Sequence, residues 1–444
     1  MNLAWEVVTL RKLFLTVFVL LTLTLLAIEV PTVQYIYHRL ANGLQVYIFQ
    51  DHTVPLVKIQ VWYKVGSIDE EQGRTGSAHL LEHEMFNGTE AIGKGEIDEL
   101  ITSVGGQLNA GTYYDYTVYY EIVPSAKLEL ALAIEADRMR NLKIDPIDFY
   151  RELEVVKQER RQRIENNYIQ SGWEELQSNA FAGTPLGHFI IGWMEDLNKM
   201  THDYIRDFYE MFYAPNNAIV AISGDVDPQE AIVLVEKYFG DYEPVEIKRP
   251  VYAETKFEGE KVLRLPRITR YALMLQLYQI SCGDHEDLPA IEALLDIWLN
   301  SESSRVINEL YYKRGMILGC GGFTIALRIP GYALVYAFGY KEDDLDQIKA
   351  AMDEELRKIA EEGVFEEELE KVKKARLKEI IFGLKDIREF SDVTVLSALR
   401  YDDPYLYKKQ IETISKLTSE DIQRVARQYF LSKDRYVGYI VPKN

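Results

Sequence analysis

The sequence predicts an α+β protein of two homologous domains, each an antiparallel β-sheet flanked by α-helices. Strand-like and helix-like stretches follow the same order in both halves of the 444 residues, and each half closes near a short β-branched strand, at 217–224 and 435–441. A proline-containing stretch without periodicity, 241–258, lies between them. That pattern is the mark of a duplicated unit.

Arg11-Lys12 precede an apolar run at 13–28, broken by Glu29 and Pro31. The run is shorter than the roughly 20 residues of a spanning helix. Residues 1–30 therefore read as a signal peptide or an N-terminal membrane anchor, and the rest of the chain is expected in the periplasm or facing it from a membrane. Residues 35–65 are rich in Tyr, Val and Ile around Asn42-Gly43, a strand-turn-strand pattern, and helical periodicity follows from about Gly76. Gly105-Gly106 opens a strand run ending near Val123-Pro124. Ser125 is placed as the N-cap of a helix reaching about Arg140. Helical patterns continue to Tyr213, followed by a strand at 217–224 and a helix at 228–238.

Pro244 and Pro250 mark the boundary, so the expected domains are 31–243 and 258–444, joined by a linker at 244–257. The second half then runs through strands at 262–280, helices at 287–313, strands at 317–340, amphipathic helices at 343–427 and the closing strand.

With 47% apolar residues the chain is not disordered, and 50 Lys plus Arg against 70 Asp plus Glu give a formal charge of −20. That surplus repels nucleic acid and attracts cations, metal ions and basic peptides among them. Two cysteines, Cys282 and Cys320, cannot build a Cys-rich zinc site, although they are enough for one disulfide.

Of seven histidines, only His79 and His83 stand four apart within a helical pattern, His79-Leu80-Leu81-Glu82-His83. Both imidazoles leave one helix face about 6 Å apart, close enough to chelate one divalent ion. Glu82 shares that face. A carboxylate there can take a proton from a water whose pKa the metal lowers. The pattern inverts His-Glu-x-x-His. A catalytic zinc needs a third protein ligand, and Glu152 and Glu159, two turns apart on one helix face, are the candidates, while Glu154 points elsewhere. Spacing does not choose between them.

The inverted motif, followed after 75 intervening residues by Glu159, resembles the pitrilysin and insulin-degrading group of zinc metallopeptidases, especially the half-sized branch that includes the mitochondrial processing peptidases. The resemblance implies one zinc ion per chain on His79, His83 and Glu159, Glu82 as the catalytic base, and Glu152 hydrogen-bonded behind the site. The segment Gly105-Gly106-Gln107-Leu108-Asn109-Ala110-Gly111-Thr112 is similar to the family's active-site edge strand, which implies that Asn109, Ala110, Gly111 and Thr112 hold an extended peptide as an added strand. His188 falls in a loop and is expected to be no ligand.

One departure stands out. Where the family carries an arginine and a tyrosine that bind the substrate backbone and the oxyanion, this chain has Tyr311 and Leu318. The resemblance thus implies a zinc endopeptidase subunit for extended peptides, completed clam-like by a related subunit bearing the Arg/Tyr pair, as a heterodimer or homo-oligomer. Its rival is a non-catalytic assembly subunit that keeps the fold.

Overall fold

In the computed structural model, which describes residues 34–252 and 256–443, the tyrosine- and valine-rich opening forms three strands. β1 (Ile36–Arg39) and β2 (Gln45–Gln50) pair across the Asn42-Gly43 turn, and β3 (Leu56–Tyr63) follows. Gly43 takes φ +94°, which favours glycine. Asn42 fixes the turn by accepting the Leu44 N–H at 3.2 Å and donating to the Phe239 carbonyl at 2.7 Å. The glycine-led run divides into a hairpin, β4 (Gln107–Thr112) and β5 (Thr117–Pro124), and β6 (Ala218–Gly224) is buried along its length.

The strands assemble in the order β1-β2-β6-β3-β5-β4. All neighbours are antiparallel except β2 and β6. A parallel pair requires a long crossover, and the helices Leu128–Arg140, Pro146–Arg160, Tyr168–Ala180 and His202–Phe212 lie along it. Ser125 does not cap the first of these. Residues Ser125–Lys127 make one tight turn, the helix starts at Leu128, and the Ser125 hydroxyl donates instead to Asp225 at 2.8 Å.

The second half contributes β7 (Glu260–Arg267), β8 (Ala272–Gln279), β9 (Ile317–Ile325), β10 (Tyr332–Gly339) and β11 (Arg435–Pro442). Their order is β7-β11-β8-β10-β9, again with one parallel pair, β7 and β11. Apart from β1, both sheets therefore follow one scheme, with the last strand inserted beside the first in parallel. Two domains, each an essentially antiparallel sheet flanked by helices, emerge as expected, with one parallel pair per sheet that the sequence pattern does not reveal. Cys282 and Cys320 are both free thiols.

Each half also covers the other's sheet. The helix Tyr168–Ala180 packs on β11, β7 and β8, so closely that a Cβ on Gly172 would lie 2.3 Å from Ile440 Cδ1. Leu176 is fully buried in a cluster with Leu275, Leu277, Leu334 and Ile440. In return the helix Ile387–Tyr401 lies on β6, β2 and β3, with Phe390 edge-on to Phe49 at 5.7 Å.

The expectation of membrane anchoring through residues 13–28 is corrected. No described helix is long and apolar enough to cross a bilayer, and the run itself lies outside the described residues.

Truncating Leu176 to Ala opens a cavity at the seam between the halves and is expected to lower the unfolding free energy by about 2–5 kcal/mol. Urea denaturation monitored by tryptophan fluorescence measures the loss.

Candidate metal centre

The inverted motif occupies an eight-residue helix, Ser77–Glu84. It begins at Gly76, whose φ of +89° and 2.6 Å approach of a notional Cβ to the Ile191 carbonyl leave room only for glycine. No capping side chain precedes it. Instead the buried Glu70 carboxyl accepts the N–H groups of Gly76 and Ala78, both at 2.8 Å, and so satisfies two amides at the helix N-terminus that have no partner within the helix. Leu80, Leu81 and Met85 are fully buried, which turns His79, Glu82 and His83 to the opposite face.

Facing them is the helix Pro146–Arg160, started by Pro146 and by Asp145, whose side chain accepts the Ile147 N–H at 2.9 Å. It brings Glu159 Oε2 to 3.8 Å from His79 Nε2 and 3.4 Å from His83 Nε2. One donor atom from each of the three residues lies within 4.8 Å of the others. Glu152 reaches the other side of the same imidazole, 2.9 Å from His83 Nδ1. Glu154 is exposed and pairs with Lys157. The two carboxylates that spacing left equivalent thus take different positions: Glu159 meets both Nε2 atoms, Glu152 only the Nδ1 of His83.

Two imidazole nitrogens and a carboxylate oxygen form a donor set suited to zinc. Ligand atoms in a tetrahedral site with bonds of about 2.0–2.1 Å lie about 3.4 Å apart, close to the separations from Glu159. Burial, helped by the neighbouring His83, lowers the His79 pKa to about 4 and keeps that ring neutral with a lone pair to offer. At His83 burial acts in the same direction, but the carboxylates of Glu152 and Glu159 outweigh it and raise the pKa to about 9. The hydrogen bond from His83 holds Glu159 below the usual range, with Arg163 Nη1 at 2.7 Å from its other oxygen.

Glu82 is partly buried, and that burial raises its pKa. Its Oε2 accepts the Thr112 hydroxyl at 2.6 Å. Thr112 was singled out for strand addition; its side chain contacts the Glu82 carboxylate, a role that no sequence motif marks. Asn109, Ala110 and Gly111 lie with it on β4, the outermost strand of the first sheet, and a Cβ on Gly111 would meet nothing within 4 Å. Arg163 was also missed, although its position four residues after Glu159 was a usable signal. His188 is buried in its loop with Nδ1 donating to the Phe189 carbonyl at 3.0 Å. Tyr311 and Leu318, 44% and 39% exposed, sit on a widened helical turn and on β9, the outermost strand of the second sheet.

Residues 45–192 match the family described as insulinase, peptidase family M16, and residues 199–376 match its inactive domain. The chain belongs to the M16 peptidase family. It is a zinc-dependent metalloendopeptidase by that membership. The chain is 28% identical over 415 residues to the zinc protease PqqE of Helicobacter pylori, covering 91% of this chain and 92% of that protein. It is 24% identical to a probable mitochondrial-processing peptidase subunit beta of Arabidopsis thaliana, covering 91% and 77%. A crystal structure of a protease from H. pylori superposes with a TM-score of 0.87 at 26% identity, over 93% of this chain and all of that one.

A cation entering between the Nε2 atoms must displace a proton from His83. Since its pKa of about 9 keeps that ring charged at neutrality, zinc affinity is expected to rise as pH increases from about 7 to 8.5, by up to about tenfold per unit. Chelator competition at several pH values reads this. Glu152→Ala is expected to weaken zinc binding about 10- to 100-fold, because it removes the acceptor of His83 Nδ1–H and frees the ring to rotate.

Proposed function

We propose that His79, His83 and Glu159 hold one zinc ion and that Glu82 is the general base of an endopeptidase acting on extended peptides. The observation that carries this reading is the convergence of both Nε2 atoms on Glu159 with the Glu82 carboxylate on the same helix face. Bound there, zinc supplies a Lewis acid. The chain's own groups do the rest. Glu82, steadied by Thr112, takes the proton of the attacking water and later delivers it to the leaving amine. Glu152 accepts from His83 Nδ1–H, which fixes the tautomer whose lone pair lies on Nε2. The outer edge of β4 receives the substrate backbone as a further strand, so that main-chain hydrogen bonds give affinity with little dependence on side chains. The net charge of −20 favours basic peptides.

The oxyanion is the weak point. Leu318 has no donor, and Tyr311 offers one hydroxyl where the resemblance implies a guanidinium. Loss of one such donor costs about 100- to 1,000-fold in turnover. In our reading a related chain supplies the missing pair across a shared chamber; this finer step rests on Tyr311 and Leu318 alone. Those two residues equally favour the rival reading, a non-catalytic assembly subunit, which gives no reason for Glu82 to lie beside the metal ligands. An exported location is supported by the apolar run at 13–28 and by likeness to the first half of the periplasmic protease PqqL of Escherichia coli, TM-score 0.76.

Glu82→Gln is expected to keep its zinc while turnover of a quenched basic peptide falls about 100- to 10,000-fold, assayed alone and with an Arg/Tyr-bearing relative. Full activity in Glu82→Gln sinks the base assignment. Glu159→Gln is expected to lose zinc, and unchanged zinc affinity moves the third ligand elsewhere.

A further inference from the structure

Two buried aspartates of the first half are gripped by arginines from beyond β6. Asp115 lies, fully buried, in the turn joining β4 to β5. Its Oδ1 accepts from Arg400 Nε and Nη2 at 3.0 and 2.6 Å, and its Oδ2 accepts the backbone N–H of Arg328 at 3.0 Å. The Arg400 guanidinium also covers the rings of Tyr113 and Tyr116, at 5.4 and 5.2 Å. Asp69, 2% exposed, accepts from Arg328 Nη2 at 2.6 and 2.8 Å and from Arg249 Nη1 at 2.6 Å.

Both aspartates border the metal centre along the chain. Thr112, which holds Glu82, is three residues before Asp115, and Glu70, which caps the metal-site helix, directly follows Asp69. The two segments are also joined to each other. The N–H groups of Ser67 and Ile68 donate to the carbonyls of Tyr113 and Tyr114 at 3.3 and 2.8 Å. Burying an aspartate is costly unless it is paired in good geometry. Once paired, it permits only one placement of the strand and helix attached to it.

We propose that Arg400 and Arg328 are positioning residues for peptide hydrolysis: through Asp115 and Asp69 the second half sets Thr112, and with it Glu82, in line with the metal-site helix. This rests on the assignment of Glu82 as the base. Arg400 lies on the helix Ile387–Tyr401 that covers the first sheet, and Arg328 on the loop between β9 and β10. The catalytic geometry of one half is therefore completed by residues of the other, with no contact between those arginines and the substrate required.

The test is a double-mutant cycle on the zinc-loaded full chain, with kcat and KM expressed per bound zinc. Arg400→Gln and Thr112→Val are each expected to lower kcat about 10- to 100-fold, Arg400→Lys less, with zinc content unchanged. If Arg400 acts through Thr112, the double variant is no slower than the worse single one. Losses that multiply, or an unchanged kcat in both Arg400→Gln and Arg400→Lys, overturn the proposal and leave an ordinary interface ion pair. Full activity in Glu82→Gln removes the base assignment instead, a distinct result. Where turnover is too slow to measure, hydrogen exchange of residues 107–117 replaces it: faster exchange in Arg400→Lys at full zinc occupancy supports positioning, and wild-type exchange overturns it.

Discussion

An eight-residue helix cannot hold itself in water, because its few internal hydrogen bonds barely offset the cost of nucleation. Every distance at the metal centre depends on such a helix being held from outside. Glu70 binds its first amides, Gly76 admits the Ile191 carbonyl at its start, and Leu80 and Leu81 are driven into the core. With its ends and apolar face fixed, the helix has one rotation left, and that rotation presents His79, Glu82 and His83 together.

The two histidines differ although they leave the same helix. His79 is surrounded by protein and stays neutral; His83 lies between two carboxylates that favour its protonated form. The difference comes from the neighbouring helix. Glu152 and Glu159 sit two turns apart on it, so one meets the Nδ1 side of His83 and the other the Nε2 side.

Both sheets share one strand order, yet among the described residues the second half has no equivalent cluster of metal-ligand type. On its counterpart helix, Leu288–Leu295, and the turn that continues it, Glu292 and Asp296 stand four residues apart. Arg376 lies 2.7 Å from each, and Thr324 donates to Glu292 at 3.2 Å much as Thr112 does to Glu82. The Arg376 guanidinium bridges the two carboxylates, so the protein's own cation takes the place between them. Among the described residues only His79, His83 and Glu159 form a cluster of metal-ligand type.

Periodicity alone made much of this legible. The i,i+4 histidines, the strand alternation and the repeated order of elements are local, so composition and spacing led to the two-domain α+β fold and to His79, Glu82 and His83. Other features depend on groups far apart in the chain. Which of Glu152 and Glu159 meets Nε2 is set by how two helices face each other, and the parallel pairs β2/β6 and β7/β11 by where the last strand of each half inserts. Ser125 has the residue type of a cap, but Asp225, 100 positions away, takes its hydroxyl. The pairing of Asp115 with Arg400 spans 285 positions and has no local pattern. Which side chains can bind a metal and move a proton follows from residue types at helical spacing, which is a local property. Packing between distant segments settles which carboxylate meets the imidazoles and which arginine reaches Asp115, because burial forces each charge to find a partner wherever the fold brings one within reach.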